Sequence, residues 1–283
     1  MSRKFISPGS ARIDIPGGIP YDSIDWKDAT MINPVNLAGI FDCCSGITFY
    51  NYPFANEPNK SLVDIEDLMR DNDMYTATFQ MDIDKTLYQQ SSPIFPLYVD
   101  QKVGYIGRSS IKIKSTLNHE ELAKPYAICN VQYVYIDPKR RASKEFPVDW
   151  KEKYQRYCKD GTPLTMSKLT KPEVTNEYSV TVRPSDTDFY GHTNFASYIK
   201  FCTDALFSGV SNSVYKHIGQ YHLHGGLKSL IIAYRKESLF GSTLTIHSWE
   251  DKLQKDTVHF EHRNGDDICC QATLQYYVKG SQL

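Results

Sequence analysis

Twice along 283 residues an apolar, helix-spaced segment is followed by a run of alternating strands, and that repeat of order restricts the fold more than any single motif does. In the first half, residues 38–50 form an apolar stretch dense enough for a helix buried nearly all round, and the Asn- and Pro-rich segment 51–60 ends it. Strands follow at 74–83, 97–105, 106–115 and 127–136, with Gly104 and Gly107 at positions suited to bulges. In the second half, 177–183 alternates as a strand, 185–192 turns, and 193–207 places Phe195, Tyr198, Ile199, Cys202, Ala205 and Leu206 at helical spacing. Four more strands are expected at 228–234, 242–249, 257–263 and 268–278. Each half therefore reads as an α+β, two-layer unit: an antiparallel sheet wrapped around one central helix.

The intervening segment 138–176 is polar, charged and Pro-containing, with a short helix expected at 150–158. The Gly- and Pro-rich start reads as irregular. This gives an N-terminal arm over 1–30, a first domain over 31–140, a linker over 141–175 and a second domain over 176–283. Two domains of roughly 110–140 residues are each large enough to bury a core. The net charge of −1 provides no global attraction to nucleic acid. No apolar run reaches the roughly 20 residues of a membrane span, and residues 1–15 lack the apolar stretch of a secretory signal. Seven Cys, an odd number without a CxxC pair, fit a reducing, cytoplasmic setting and argue against structural zinc. The closing Ser281-Gln282-Leu283 is a loose relative of the peroxisomal Ser-Lys-Leu address, the alternative localisation.

The most informative segment is Asp186-Thr187-Asp188-Phe189-Tyr190-Gly191-His192-Thr193-Asn194-Phe195, running on to Tyr198. A strand ends, two acids flank a Thr, a Gly turns the chain and a helix begins. A helix start carries unpaired N–H groups and partial positive charge, which can hold a carbonyl oxygen as it becomes an oxyanion. A carboxylate beside it can attack or activate water. The plainer reading is that an Asp caps the helix and Gly191 only turns the chain.

The run resembles the D-x-D-x-x-G-H signature, with its following Tyr, of hotdog thioesterases of the 4-hydroxybenzoyl-CoA type. It is also similar to the version in plant acyl-carrier-protein thioesterases. The resemblance covers roughly fifteen residues and implies a tandem (double) hotdog, with one hotdog domain in each half. It also implies that Asp188 is the catalytic carboxylate, that the Phe195 amide polarises the thioester carbonyl, and that His192 is the plant enzymes' histidine. Tyr190 departs from the pattern, standing where the plant enzymes have a catalytic Asn, and this favours Asp188 acting alone with water. Asn194 fits the family's H-V-N element and equally fits a helix cap.

A possible second site lies in the first half, where Asn33, Asp42 and Gly46 are similar in spacing to another hotdog class and Ser109 falls in a G-R-S strand end. An acid inside an apolar helix needs a partner, and Arg108 is one candidate. Pro34 occupies the position whose N–H would bind the thioester oxygen, so this site is degenerate or built differently. Lys139, Arg140 and Arg141 could meet coenzyme A phosphates or a carrier protein, or simply be solvated. His222 and His224 lack a third metal ligand and read as loop residues, and neither a metal nor a cofactor is expected.

The resemblance implies a thioesterase of fatty-acid and lipid metabolism that hydrolyses acyl-CoA or acyl-carrier-protein thioesters to free acid and thiol. The acyl chain would lie between the domains among some of the 20 Tyr and 13 Phe. The alternative is a non-hydrolytic hotdog protein that binds acyl thioesters or a related small molecule, or catalyses dehydration or condensation. A homodimer and a self-contained tandem both remain open.

Overall fold

The computed structural model describes residues 1–19, 33–49, 61–89, 92–158, 161–188 and 190–278. The chain divides into two compact units, one drawn chiefly from residues up to Thr165 and one from Met166 onward.

The first unit opens with β1 (Ser2–Ser7) and β2 (Ser10–Ile15), an antiparallel hairpin. The irregular arm expected over 1–30 is corrected here, since Ala11, Ile13 and Ile15 are buried in strict alternation. That alternation has only three buried positions, and Gly and Pro follow it, so it reads weakly in sequence. Residues 20–30 of the arm, the expected helix end at 51–60 and the terminal Ser281-Gln282-Leu283 lie outside the described residues. After α1 (Pro34–Phe49) and the short α2 (Ile65–Met69) come β3 (Asp73–Ile83), β4 (Leu97–Ile106), β5 (Ser110–Asn118) and β6 (Ala127–Asp137). The two-residue β7 (Ala142–Ser143) pairs with β6, and α3 (Val148–Gln155) follows.

All pairings in this sheet are antiparallel, in the order β1-β2-β4-β5-β6-β3. The β4–β5 register slips between Val103 and Tyr105, which makes Gly104 the expected bulge. Arg12 lies opposite Asp100 and clasps both its oxygens, at 2.7 and 2.9 Å.

The polar groups facing α1 are mutually satisfied. Buried Thr48 donates to Gln101 Oε1 at 2.8 Å, and Gln101 Nε2 donates to Ser115 at 3.0 Å and Ser45 at 3.3 Å. One glutamine thus ties α1 to β4 and β5 without leaving a buried polar group unpaired. The expectation of a helix buried nearly all round needs correction, because Asp42 and Cys43 are exposed. Tyr135, Phe146 and Trp150 stack in sequence at 5.2 and 4.6 Å, and the Trp150 ring N–H donates to Val63 O. The segment expected as a polar linker is therefore partly packed: α3 is held by this aromatic ladder, while Lys112 Nζ and Gln132 Oε1 hold Thr162 O and Leu164 N.

The second unit contains β8 (Asn176–Thr181), α4 (Phe195–Ser211), the short α5 (Gln220–Leu223), β9 (Leu227–Tyr234), β10 (Thr243–Glu250), β11 (Thr257–Asn264) and β12 (Asp267–Tyr276). Its antiparallel order is β9-β12-β11-β10-β8. The buried face of α4 (Tyr198, Ile199, Cys202, Ala205, Leu206) repeats at three- and four-residue intervals. The other face of the sheet carries Gln271, which takes both the N–H and the C=O of Leu169 and also donates to buried Glu261. No helix among the described residues is long and apolar enough to cross a membrane.

His262 is the anomaly of this core. It is fully buried, its Nε2 lies 3.2 Å from Cys202 Sγ, and its Nδ1 has no partner among the described residues. Burial pushes its pKa down from 6.5 to about 3. The unfolded chain therefore binds a proton in the window between these values that the folded chain refuses, so stability falls as pH falls through it, by up to about 1.4 kcal/mol per pH unit. His262→Leu should show a shallower loss of stability between about pH 6 and pH 4, by the slope of one proton, in urea unfolding at a series of pH values. Parallel curves for parent and variant would contradict the burial argument.

Candidate functional site

Past the end of β8, Pro184–Asp186 forms one 3-10 turn. Asp186 is buried; its Oδ2 accepts from the Arg183 N–H at 2.9 Å and its Oδ1 pairs with the Lys200 ammonium from α4. Its backbone oxygen accepts from the Asn194 N–H at 2.8 Å and from the Ser197 hydroxyl at 3.0 Å. The first acid of the motif is thus structural, fastening the turn to the helix start with an ion pair and three neutral donors.

The second acid is placed differently. Asp188 is half-buried and shapes the turn around itself. Its Oδ1 accepts from the backbone N–H of Tyr190 at 2.9 Å and of His192 at 3.1 Å, and its backbone N–H donates to His192 O at 2.8 Å. Gly191 donates to Asp188 O at 3.0 Å with φ of +75°, a left-handed conformation that favours glycine. The carboxylate is thereby fixed through one oxygen, and Oδ2 takes no hydrogen bond from a described residue. Phe189 lies outside the described residues.

Further along, Asn194 is the N-cap of α4, its side chain accepting from the Ala196 N–H at 2.8 Å. Of the two readings left open for Asn194, the cap is the one observed. Phe195 is the first residue of α4, so its N–H lies at the positive end of the helix, and its backbone oxygen accepts from Tyr234 at 3.1 Å.

The loop after β9 closes over this junction. Ser238 accepts the Thr193 N–H at its carbonyl (2.8 Å), and its hydroxyl meets those of Thr193 and Tyr198 at 2.7 Å each. Leu239 bridges to His192, and the Phe240 N–H donates to Gly191 O at 3.2 Å. Glu237 is carried to within 3.5 Å of His192, Oε2 to Nε2. Burial raises the Tyr198 phenol pKa, which keeps it a neutral hydrogen-bonding group. Glu237 and Ser238 carry no signal in the sequence that links them to this site, because only the fold of the loop brings them to the turn.

Asp188, Tyr190, His192, Asn194 and Phe195 thus share one junction. The first-half residues are arranged otherwise. Asn33 accepts from the Val35 N–H at 2.8 Å ahead of Pro34, the first residue of α1, which is an ordinary cap with proline where no donor is needed. Asp42 is exposed on α1, which removes the premise of a buried acid needing compensation, and Arg108 faces Glu145 instead, at 3.6 Å. Ser109 sits in the β4–β5 turn, its carbonyl accepting from the Tyr135 N–H. Lys139, Arg140 and Arg141 form the exposed β6–β7 turn; the first two donate backbone N–H to Asp137 Oδ1, which lowers that acid's pKa. His222 lies in α5, 2.9 Å from Asp256, and no metal-binding group occurs among the described residues.

A central helix under an antiparallel sheet in each unit, with a carboxylate-bearing turn at one helix start, defines a hotdog-fold protein. Residues 182–275 match the model of the Thioesterase-like superfamily. No curated protein matches the sequence. Among solved structures, an acyl-ACP thioesterase from Bacteroides thetaiotaomicron superposes with a TM-score of 0.65 at 16% identity, covering 95% of this chain and 98% of that one. A 12:0-ACP thioesterase from Umbellularia californica gives 0.66 at 13% identity, covering 97% and 99%. At these identities the likeness establishes the fold.

Asn194→Ala should destabilise the protein by about 1 kcal/mol through loss of the cap. The check is a lowered denaturation midpoint with an unchanged m-value, and an unchanged midpoint would show that the cap bond contributes nothing.

Proposed function

We propose that this protein hydrolyses acyl thioesters to a free acid and a thiol at the junction of the Asp188 turn with α4. The observation that carries the proposal is a half-buried carboxylate held through one oxygen by two backbone N–H groups, just ahead of a helix start. The matched superfamily and the solved thioesterases of the same fold support it.

In the proposed reaction, Asp188 takes a proton from water as the water oxygen attacks the thioester carbon. The carbonyl oxygen becomes an oxyanion held by the Phe195 N–H at the positive end of α4. Collapse of this tetrahedral species breaks the C–S bond, and the departing sulfur takes up the proton. One well-placed oxyanion donor is worth roughly 10²–10³ in rate. His192, facing Glu237, is the second group able to move that proton. Both superposed structures are named for acyl-carrier-protein substrates, so acyl-carrier protein and coenzyme A are the thiols to compare.

Tyr190, standing where the resembling plant enzymes place an Asn, keeps a non-hydrolytic binder as the second reading. Asp188→Asn should lower kcat by about 10²-fold or more across a panel of acyl-CoA and acyl-carrier-protein substrates while the circular dichroism spectrum is preserved. Unchanged turnover rules out the assigned site. An intact thioester carried through purification and not consumed would establish the non-hydrolytic reading.

A further inference from the structure

Two large apolar side chains stand beside the Asp188 turn where the local backbone does not call for them. Leu239 and Phe240 lie at the tip of the loop after β9 and are 51% and 61% exposed. The main chain there is fixed from several sides. The Ser242 N–H donates to Leu239 O at 3.0 Å, closing a tight turn in which Gly241 has φ of +81°. The Phe240 N–H donates to Gly191 O at 3.2 Å, the Gly241 N–H donates to Val182 O at 3.0 Å, and Leu239 bridges to His192. All of these contacts come from the backbone, so the small polar residues that usually fill such turns would make them equally well. Leu and Phe instead leave more than half of their surface open to water, on a scaffold tied directly to Gly191 and His192.

Two features select what this surface meets. From Ser238 to Thr245 the chain carries no charged residue, which suits neither the phosphates of a nucleotide nor a charged protein face. The surface is also partly open, whereas a long acyl chain gains most from complete burial. Between the acyl group and the carrier, a thioester of coenzyme A or of a carrier protein has a segment of a third kind. This pantetheine arm is uncharged, and its apolar dimethyl and ethylene groups alternate with amides that can stay in water. We propose that Leu239 and Phe240 are the docking point for the pantetheine arm and so select thiols that carry it. The proposal deepens the hydrolytic reading and rests on it for the placing of the thioester carbonyl at the start of α4.

The test uses the full-length protein and one acyl group carried on pantetheine, on coenzyme A, on acyl-carrier protein and on N-acetylcysteamine, which lacks the dimethyl half of the arm. Phe240→Ser and Leu239→Ser should each raise KM for the first three by about tenfold with kcat within about twofold, the pattern of lost ground-state binding. The preference for pantetheine over N-acetylcysteamine should fall by the same factor, and Phe240→Leu, which keeps an apolar side chain, should retain most of it. Phe240→Ala replaces the serine variant if serine lowers the denaturation midpoint. In calorimetry the Kd of a methylene analogue of acyl-pantetheine, which cannot be cleaved, should rise about tenfold in the same variants. Equal losses on the pantetheine and N-acetylcysteamine thioesters overturn the proposal, as do unchanged KM and Kd values. So does a loss confined to acyl-carrier protein, which would assign the turn to the carrier's own surface. A change of oligomeric state on substitution, read by sedimentation, also overturns it by making the turn a contact between copies. Because the analogue binds without turnover, failure of the hydrolytic reading, seen as an unaffected Asp188→Asn, is distinguishable from failure of this one.

Discussion

Ser238 is fully buried, and its hydroxyl meets two others, those of Thr193 and Tyr198, while its carbonyl takes the Thr193 N–H and hydroxyl. Three hydroxyls removed from water would each cost about 1–3 kcal/mol if left unpaired; here each is the partner of another. The cluster joins the loop after β9 to the start of α4. Glu237 precedes Ser238 and Leu239 follows it, so the loop's approach to His192 depends on this contact. Asp186 does the corresponding work on the other side, joining the end of β8 to α4 through Lys200 and Ser197. The Asp188 turn is held between these two fastenings.

That division of labour separates two acids that look equivalent in sequence. Asp186 is buried, its carboxylate paired with Lys200 and bonded by the Arg183 N–H, while its backbone oxygen takes Asn194 and Ser197. Asp188 is half-buried and has one oxygen committed to the turn. Both oxygens of Asp186 are engaged, one by the Lys200 ammonium and one by the Arg183 N–H, whereas both donors to Asp188 fall on the same oxygen.

Element order and type were legible because the helices and strands here are half-buried, and half-burial prints a period on the sequence. The helix starting at Phe195 and the strands Thr257–Asn264 and Asp267–Tyr276 were expected to within a few residues. Gly104 was legible as a bulge for the same reason, as a break in a regular alternation. The β1–β2 hairpin was not, because its alternation is short and adjoins Gly and Pro. Nor was the packing of the segment before β8, whose polar residues look solvated but whose backbone is held by Gln132 and Gln271 from the sheets. In the site, the contiguous residues from Asp186 to Tyr198 were visible as a unit. Glu237 and Ser238 lie some forty positions further on, and no local period connects them to the turn. Asp42 misled for the opposite reason: an apolar sequence on both sides suggested burial, whereas its side chain emerges on the exposed face of α1.

The central claim is that a thioester carbonyl binds at the start of α4 beside Asp188. A crystal structure with a non-hydrolysable acyl-CoA analogue, its thioester sulfur replaced by a methylene group, tests it most directly. The expected result is a carbonyl oxygen about 3 Å from the Phe195 nitrogen, with the Asp188 carboxylate facing the carbonyl carbon across a single water. An analogue bound with its carbonyl away from α4, and Asp188 turned only toward its own loop, would contradict it.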